Sequence, residues 1–265
     1  AVSSTVEILK TLKEKAVNAA NDTNTDADRQ TIQKELDQSI DQINDNANVT
    51  FNGQYLVDGS KNSKTVGTST ALTNQSLAED TDTGTALTGL KARNGDSLNI
   101  QSTDTITVSW VKDGKTYTAS TLVGSTQTLS ELLGSSSTLK TASNHALSDD
   151  LKLVGVKTSF IALDGSGNSV YTASGESALT ITSTGTGIGS QISGFTISIT
   201  DNTGAVRKSA NAALDAFDET LRAQNNSDDN SINLQIGTKA NQTIKVGLTD
   251  MKAQALGLQG KDNST

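Results

Sequence analysis

The sequence predicts an α+β protein. A helical, rod-like domain with β-hairpins is expected from the two chain ends, and a β-rich domain is inserted between them. Three observations predict this. Apolar residues recur every three or four positions over residues 2–47. From about residue 61 to residue 205 the chain is rich in Ser, Thr and Gly and shows short alternating runs bounded by turn residues. Helical spacing then returns at Val206. The expected division is residues 1–60 with 206–265 as one discontinuous domain, and 61–205 as the insert.

In the first segment Val2, Val6, Leu9, Leu12, Ala16 and Ala20 step along one helical face, with Glu7, Lys10, Lys13, Glu14 and Lys15 around it. The helix starts without a cap, which suggests a chain trimmed from something longer. Asn21–Asn24 breaks it. Thr25 with Asp28 reads as a capping box, a short Asp replacing the usual Glu. Ile32, Leu36, Ile40, Ile43 and Ala47 form a second stripe, so the pair is either an αα-hairpin or a kinked rod. Asn52-Gly53 between Val49–Phe51 and Gln54–Val57 predicts a hairpin, because both residues tolerate the positive φ of a type I′ turn.

Within the insert, Thr105–Val111 alternates, turns at Asp113-Gly114 and returns through Thr116–Thr118. Ser125 is a candidate cap for a short helix holding Leu129, Leu132 and Leu133. Lys152–Leu163 reads as one strand, turning through 164–168 into Val170–Thr172. Leu179–Thr182 and Phe195–Ile199 are further strands, and 61–100 is the least readable stretch. Ala210, Ala213, Leu214, Phe217 and Leu221 then mark a helix ending near Asn225. Ile232–Ile236 and Thr243–Val246 read as paired strands, and Asp250–Leu256 as a short helix closed by Gly257.

Composition narrows the function. The 265 residues fit one large domain or two modest ones. A net charge of −8 argues against a general nucleic-acid binder. Only 3% of residues are aromatic, which points to thin layers filled by aliphatic side chains and Thr methyls. There is no cysteine, hence no disulfide framework, thiolate metal site or Cys nucleophile. No apolar run approaches the ~20 residues of a membrane span, and no signal peptide is visible. Proline is absent, so loops must turn with Gly, Asn and Asp.

Potential chemical sites read as structural. His145, the single histidine, lies in an expected loop and lacks the positioned partners of a general base. Asp149-Asp150 and Asp228-Asp229-Asn230 lack EF-hand spacing and read as solvated loops. Gly185–Gly189 resembles a glycine-rich phosphate loop but has no P-loop Lys. Trp110 reads as a core anchor. The sequons at Asn48 and Asn241 occur at a frequency this composition gives by chance. Neither a cofactor, a metal nor an enzymatic activity is expected.

Five stretches resemble bacterial flagellin. Leu9–Thr23 is similar to the segment written LQRVRELAVQAANGT. Ile32–Leu36 and Ile40–Ile43 resemble IQxEIxQLxxEIxRI, and Thr50–Gly59 resembles the hairpin TxFNGxxLLDG. Leu234–Ile244 resembles LQIGANANQTI, and Thr249–Leu258 resembles the DMRAxALGL that follows it. The likeness covers about residues 5–59 and 231–258, and the insert matches nothing in the family pattern.

The resemblance implies a structural subunit that self-assembles with other flagellin subunits into the extracellular flagellar filament for motility. The insert would then face solvent. It also implies that long terminal inner-tube helices are missing, so that this is a fragment, monomeric in isolation. Lack of disulfides and of slow X-Pro isomerisation suits a subunit exported unfolded. Two other roles stay open: a hook–filament junction protein, and an adhesin or glycan-binding module on a flagellin-like stem. Toll-like receptor 5 grips the same first helix in many flagellins. The favourable pattern has Arg where this chain has Thr11 and Leu where it has Lys15, while Leu9, Glu14 and Glu35 are kept. These five residues are the receptor-contact or filament-interface candidates, and weak receptor activation is expected.

Overall fold

The computed structural model describes residues 2–21, 24–134, 137 and 139–259. Asp22 and Thr23 of the expected helix break lie outside them. Along the chain run α1 (Val2–Ala19), α2 (Asp26–Ala47), β1 (Thr50–Phe51), β2 (Gln54–Tyr55), β3 (Ala71–Asn74), β4 (Thr105–Lys112) and β5 (Lys115–Leu122). Then come α3 (Leu129–Leu133), α4 (Leu147–Asp150), β6 (Leu151–Thr158), β7 (Phe160–Leu163), β8 (Ser169–Tyr171), β9 (Ala178–Ser183) and β10 (Ile192–Thr200). α5 (Lys208–Leu214), β11 (Asp218–Leu221), β12 (Ile232–Gln235) and β13 (Thr243–Val246) complete the order. Every strand pair described is antiparallel.

The chain divides into two compact units, Ala1–Thr65 with Asn226–Thr265, and Val66–Asn225. Residues 206–225, expected with the end-built domain, therefore belong to the second unit. Their structure differs from the expected helix too. α5 stops at Leu214, where the buried Asn74 amide donates to the Ala213 and Leu214 carbonyls at 2.7 and 3.3 Å. The chain then leaves as β11, pairing Asp218 with Thr73 and Glu219 with Leu72. A tertiary strand pairing overrides a helical spacing that continued through Phe217 and Leu221. Phe217 instead packs edge-on against Phe195, with ring centroids 4.9 Å apart.

In the first unit α1 and α2 form an αα-hairpin. Asn46 donates to Ser4 Oγ at 3.2 Å, and Lys15 pairs with Glu35, so the helices run antiparallel. Leu12, Ile40, Ile43 and Ala253 form the buried cluster, with Ile8, Leu9, Leu36, Leu256 and Leu258 packed around it. α2 begins with the expected capping box. Asp28 N–H donates to Thr25 Oγ1 at 3.3 Å, and Thr25 N–H donates to Asp28 Oδ2 at 3.0 Å. Asn52 and Gly53 take φ of 50° and 74° at the tip of β1–β2, as the I′ turn requires. Residues 250–256 are a turn rather than a helix. Asp250 holds the Lys252 N–H at 2.9 Å, and Gly257 takes φ of 73°.

The second unit contains a three-stranded sheet, β10-β4-β5, and a four-stranded sheet, β11-β3-β9-β6, with β7–β8 as a separate hairpin. One contiguous core spans it. Ile106, Val108 and Trp110 of β4, Ile197 and Ile199 of β10, Leu179 and Ile181 of β9, and the Leu side chains of α3 all enter it. The expectation of thin layers therefore fails here. β3 and β9 are buried along their whole length, as central strands covered on both faces are.

Three local expectations are corrected in this unit. Thr128, not Ser125, caps α3, in a capping box with Glu131. Lys152–Leu163 is two strands, because register shifts at Gly155 and Thr158 turn the chain out of the sheet. Asp150 is not a solvated loop residue: it is 2% exposed. Its Oδ2 accepts from Trp110 Nε1 at 2.9 Å and stands 2.6 Å from His145 Nε2, and its Oδ1 stands 2.6 Å from Lys112 Nζ. Burial pushes this carboxyl up, but the bonds from Lys112, His145 and Trp110 and the Lys112 charge hold it below the usual range. Trp110 is a fully buried core anchor, as expected.

Truncating Ile43, which is fully buried, should destabilise the helical hairpin by about 2–4 kcal/mol, while Val6→Ala should stay within about 0.5 kcal/mol. Urea titrations followed by far-ultraviolet circular dichroism check the difference. Fluorescence of Trp110, the sole tryptophan, reports the second unit in the same samples.

Candidate assembly and receptor surface

The first unit presents its functional candidates along α1 and α2. Leu9 is half-buried against the hairpin core. Thr11 is exposed and donates through Oγ1 to the Glu7 carbonyl at 3.2 Å, one turn back along its own helix. Glu14 is exposed. Lys15 and Glu35 form an ion pair across the two helices. The structure thus brings Lys15 and Glu35 together and leaves Thr11 and Glu14 toward solvent.

The apolar stripe of α1 sits differently from the expectation. Thr5 and Leu12 are the buried residues of this helix, whereas Val2, Val6, Ala16 and Ala20 are exposed. The helix carries a broader apolar sector than one partner helix covers. α2 takes the side of Ile8 and Leu12, and the side of Val2, Val6 and the 61%-exposed Val17 remains open. The sequence signal was the width of that sector, since Ile8 and Val17 both lie outside the narrow stripe.

Further apolar surface lies on the paired strands of the same unit. Ile232 faces Val246 and Leu234 faces Ile244 across β12–β13, and Ile236 continues the same face. Leu234, Ile236 and Ile244 are 50%, 67% and 48% exposed. Phe51 and Tyr55 on β1–β2 are exposed as well. The strands were legible as a pair, but not that their apolar face would lie uncovered. Patches of this kind mark surfaces used in association.

Charge on this unit is organised by short-range bonds. Asp229 accepts from Ser231 through its hydroxyl and backbone and pairs with Lys245 at 3.0 Å. These contacts, Ser231 foremost, lower its carboxyl to about 2. The Thr25 bonds likewise lower Asp28. Among the described residues no group of three or more His, Asp or Glu is placed to hold a metal ion, and no helix is long and apolar enough to cross a membrane.

The first unit thus combines a helical hairpin with an exposed apolar side and two β-hairpins that carry exposed apolar residues. Residues 1–62 match the model of the bacterial flagellin N-terminal helical region. Over 62 residues the chain is 48% identical to a flagellin of Clostridium tyrobutyricum, a match covering 23% of this chain and 16% of that relative. Both findings make the N-terminal region of this chain similar to that of bacterial flagellins, and both rest on that region alone. Flagellins are structural proteins, not enzymes.

Asp229 gives a pH test of the β12–β13 surroundings. A carboxyl lowered on folding stabilises above its unfolded value of ~3.9, and the contribution is lost as pH falls through the folded value of about 2. Carboxyl titration followed by carbon NMR should place Asp229 near that value. Ser231→Ala and Lys245→Met should each raise it.

Proposed function

We propose that this chain is a structural subunit of the bacterial flagellar filament. It assembles with other flagellin subunits through the first unit, outside the cell, and serves motility. The second unit faces solvent. The observation that carries the reading is the flagellin match over residues 1–62, which coincides with the helical hairpin and its β1–β2 turn. The open side of α1 and the apolar face of β12–β13 support it, because surface left bare in a single subunit gains stability from neighbours.

Immunogold electron microscopy of source cells, with antibodies raised against this chain, tests the proposal. Label along the whole filament is the expected result. Label only at the filament base would assign the chain to the hook–filament junction, and label on the cell body with bare filaments would assign it to a surface binding module.

The same surface makes a poor ligand for Toll-like receptor 5. Thr11 lacks the planar donors of an arginine. Lys15 replaces an apolar anchor and occupies Glu35 in an ion pair. A receptor-reporter dose series should show activation well below that of an ordinary stimulatory flagellin, and the double change Thr11→Arg, Lys15→Leu should raise potency about tenfold or more. Equal potency of the unaltered chain would refute this.

A further inference from the structure

With no cysteine in the chain, a covalent tie between distant strands has to come from other side chains. One pair in the second unit is placed to make it. Lys112 ends β4, the central strand of the three-stranded sheet. Asp150 ends α4, immediately before β6, an edge strand of the four-stranded sheet. Lys112 Nζ stands 2.6 Å from Asp150 Oδ1, and the Asp150 side chain is 1% exposed. The opposite oxygen, Oδ2, accepts from Trp110 Nε1 at 2.9 Å and stands 2.6 Å from His145 Nε2. Tyr117 stacks on the His145 ring with centroids 4.4 Å apart and on Trp110 at 5.6 Å, walling the group with aromatic surface. An amine thus meets one oxygen of a buried carboxyl while two ring N–H donors take the other.

We propose that Lys112 and Asp150 condense into an intramolecular isopeptide bond that joins the two sheets. The step balances without an oxidant or a cofactor. One ammonium proton passes along the Nζ–Oδ1 hydrogen bond, leaving a neutral amine and a neutral carboxylic acid. The Nζ lone pair attacks Cγ, and negative charge develops on Oδ2. Trp110 Nε1–H and His145 Nε2–H already point at that oxygen; an acceptor-only carboxylate requires the proton on Nε2. A second Nζ proton moves to Oδ1 as the Cγ–Oδ1 bond breaks. One amide forms, one water leaves, and the third ammonium proton stays on the amide nitrogen.

The resting state is the ion pair, and the neutral pair that reacts is a minor form. Two features offset that. The reaction is intramolecular, and well-oriented intramolecular reactions reach effective molarities of about 10⁵–10⁸ M. It also needs to occur once per molecule, after which the amide lies where water is largely excluded. The product ties positions 38 residues apart. Such a tie restricts the unfolded chain as a disulfide does, and it survives reduction.

The test is the intact mass of recombinant full-length chain after denaturation and reduction. The expected mass lies one water below that of the sequence. Tandem mass spectrometry of a digest should find the Lys112 peptide joined to the Asp150 peptide, with no tryptic cleavage after Lys112. Mapping is required because Asp58-Gly59, Asp113-Gly114 and Asp164-Gly165 can lose water as succinimides. Lys112→Arg keeps the charge pair but cannot condense, so it should show the full mass and a lower melting temperature. His145→Ala removes one donor to Oδ2, and linkage followed from refolding should slow about 10²-fold. A full-mass unaltered chain after prolonged incubation, or a water loss mapped to another site, overturns the proposal. Neither reading requires a variant to fold, and neither depends on whether the chain forms filaments.

Discussion

The contact of Leu12 with Ile40, Ile43 and Ala253 is the constraint on which the first unit depends. It is small, and it draws on both ends of the sequence. α1 and α2 supply three of its members. The fourth arrives on the 248–259 turn, held in place as Asn44 Oδ1 accepts the Ala253 N–H at 2.9 Å. Met251 N–H reaches the Val57 carbonyl at 2.9 Å, so the same turn is stitched to the chain just after β2. A cluster this size leaves little margin once the entropy of ordering two long helices is counted. The exposed apolar side of α1 follows from that geometry. Two helices and one turn cannot cover a broad apolar sector, and the remainder stays exposed.

The second unit is held differently. Its aliphatic core is continuous, and buried polar groups fix how distant segments meet it. Arg207 grips both oxygens of the fully buried Asp104 at 2.5 and 2.8 Å, which pins the start of α5 to the start of β4. Asn211 and Asp215, on and just after α5, accept the backbone N–H groups of Ile199 and Ile197 at 2.6 and 2.9 Å. Asn74 closes the end of the same helix. These bonds occupy donors and acceptors that would cost stability if buried unpaired. They also set which strand lies beside which, and a core of similar aliphatic residues does not set that alone.

This contrast explains what could be read in advance. The helices α1 and α2, the Thr25 cap, the Asn52-Gly53 turn and the β12–β13 pairing were legible, because each is specified by residues close in sequence; whether the two helices fold back as a hairpin or run on as a kinked rod was not, because their packing decides it. β11 was not. Its four residues continue a helical spacing, and only their pairing with β3, nearly 150 positions away as the Thr73–Thr220 separation of 147 shows, makes them a strand. The buried state of Asp150 was equally hidden, since its partners Trp110 and Lys112 are 40 and 38 residues distant. The five candidate positions on α1 and α2 came from family likeness. The wider apolar side of α1 was present in the residue pattern, but which half a partner helix would cover depended on tertiary packing.

The acidic surplus acquires a reason from the loops. A chain without proline has to fix its turns by other means, and here Asp and Asn side chains do much of it. Asp58 accepts from Ser60, Asp164 from the backbone of Ser166 and Asn168, and Asp201 from Thr203 and Ala205, each folding the chain back within four residues. Hydrogen bonds hold the Asp82, Asp164 and Asp201 carboxyls below their usual range. Every described non-glycine residue with positive φ is an Asn or an Asp: Asn52, Asn99, Asp113, Asn144 and Asn241. These two residue types tolerate that conformation, which the proline ring forbids, and bond to their own backbone, so they shape turns without proline. Part of the charge that reads from composition as a long-range property of the surface is therefore committed at short range.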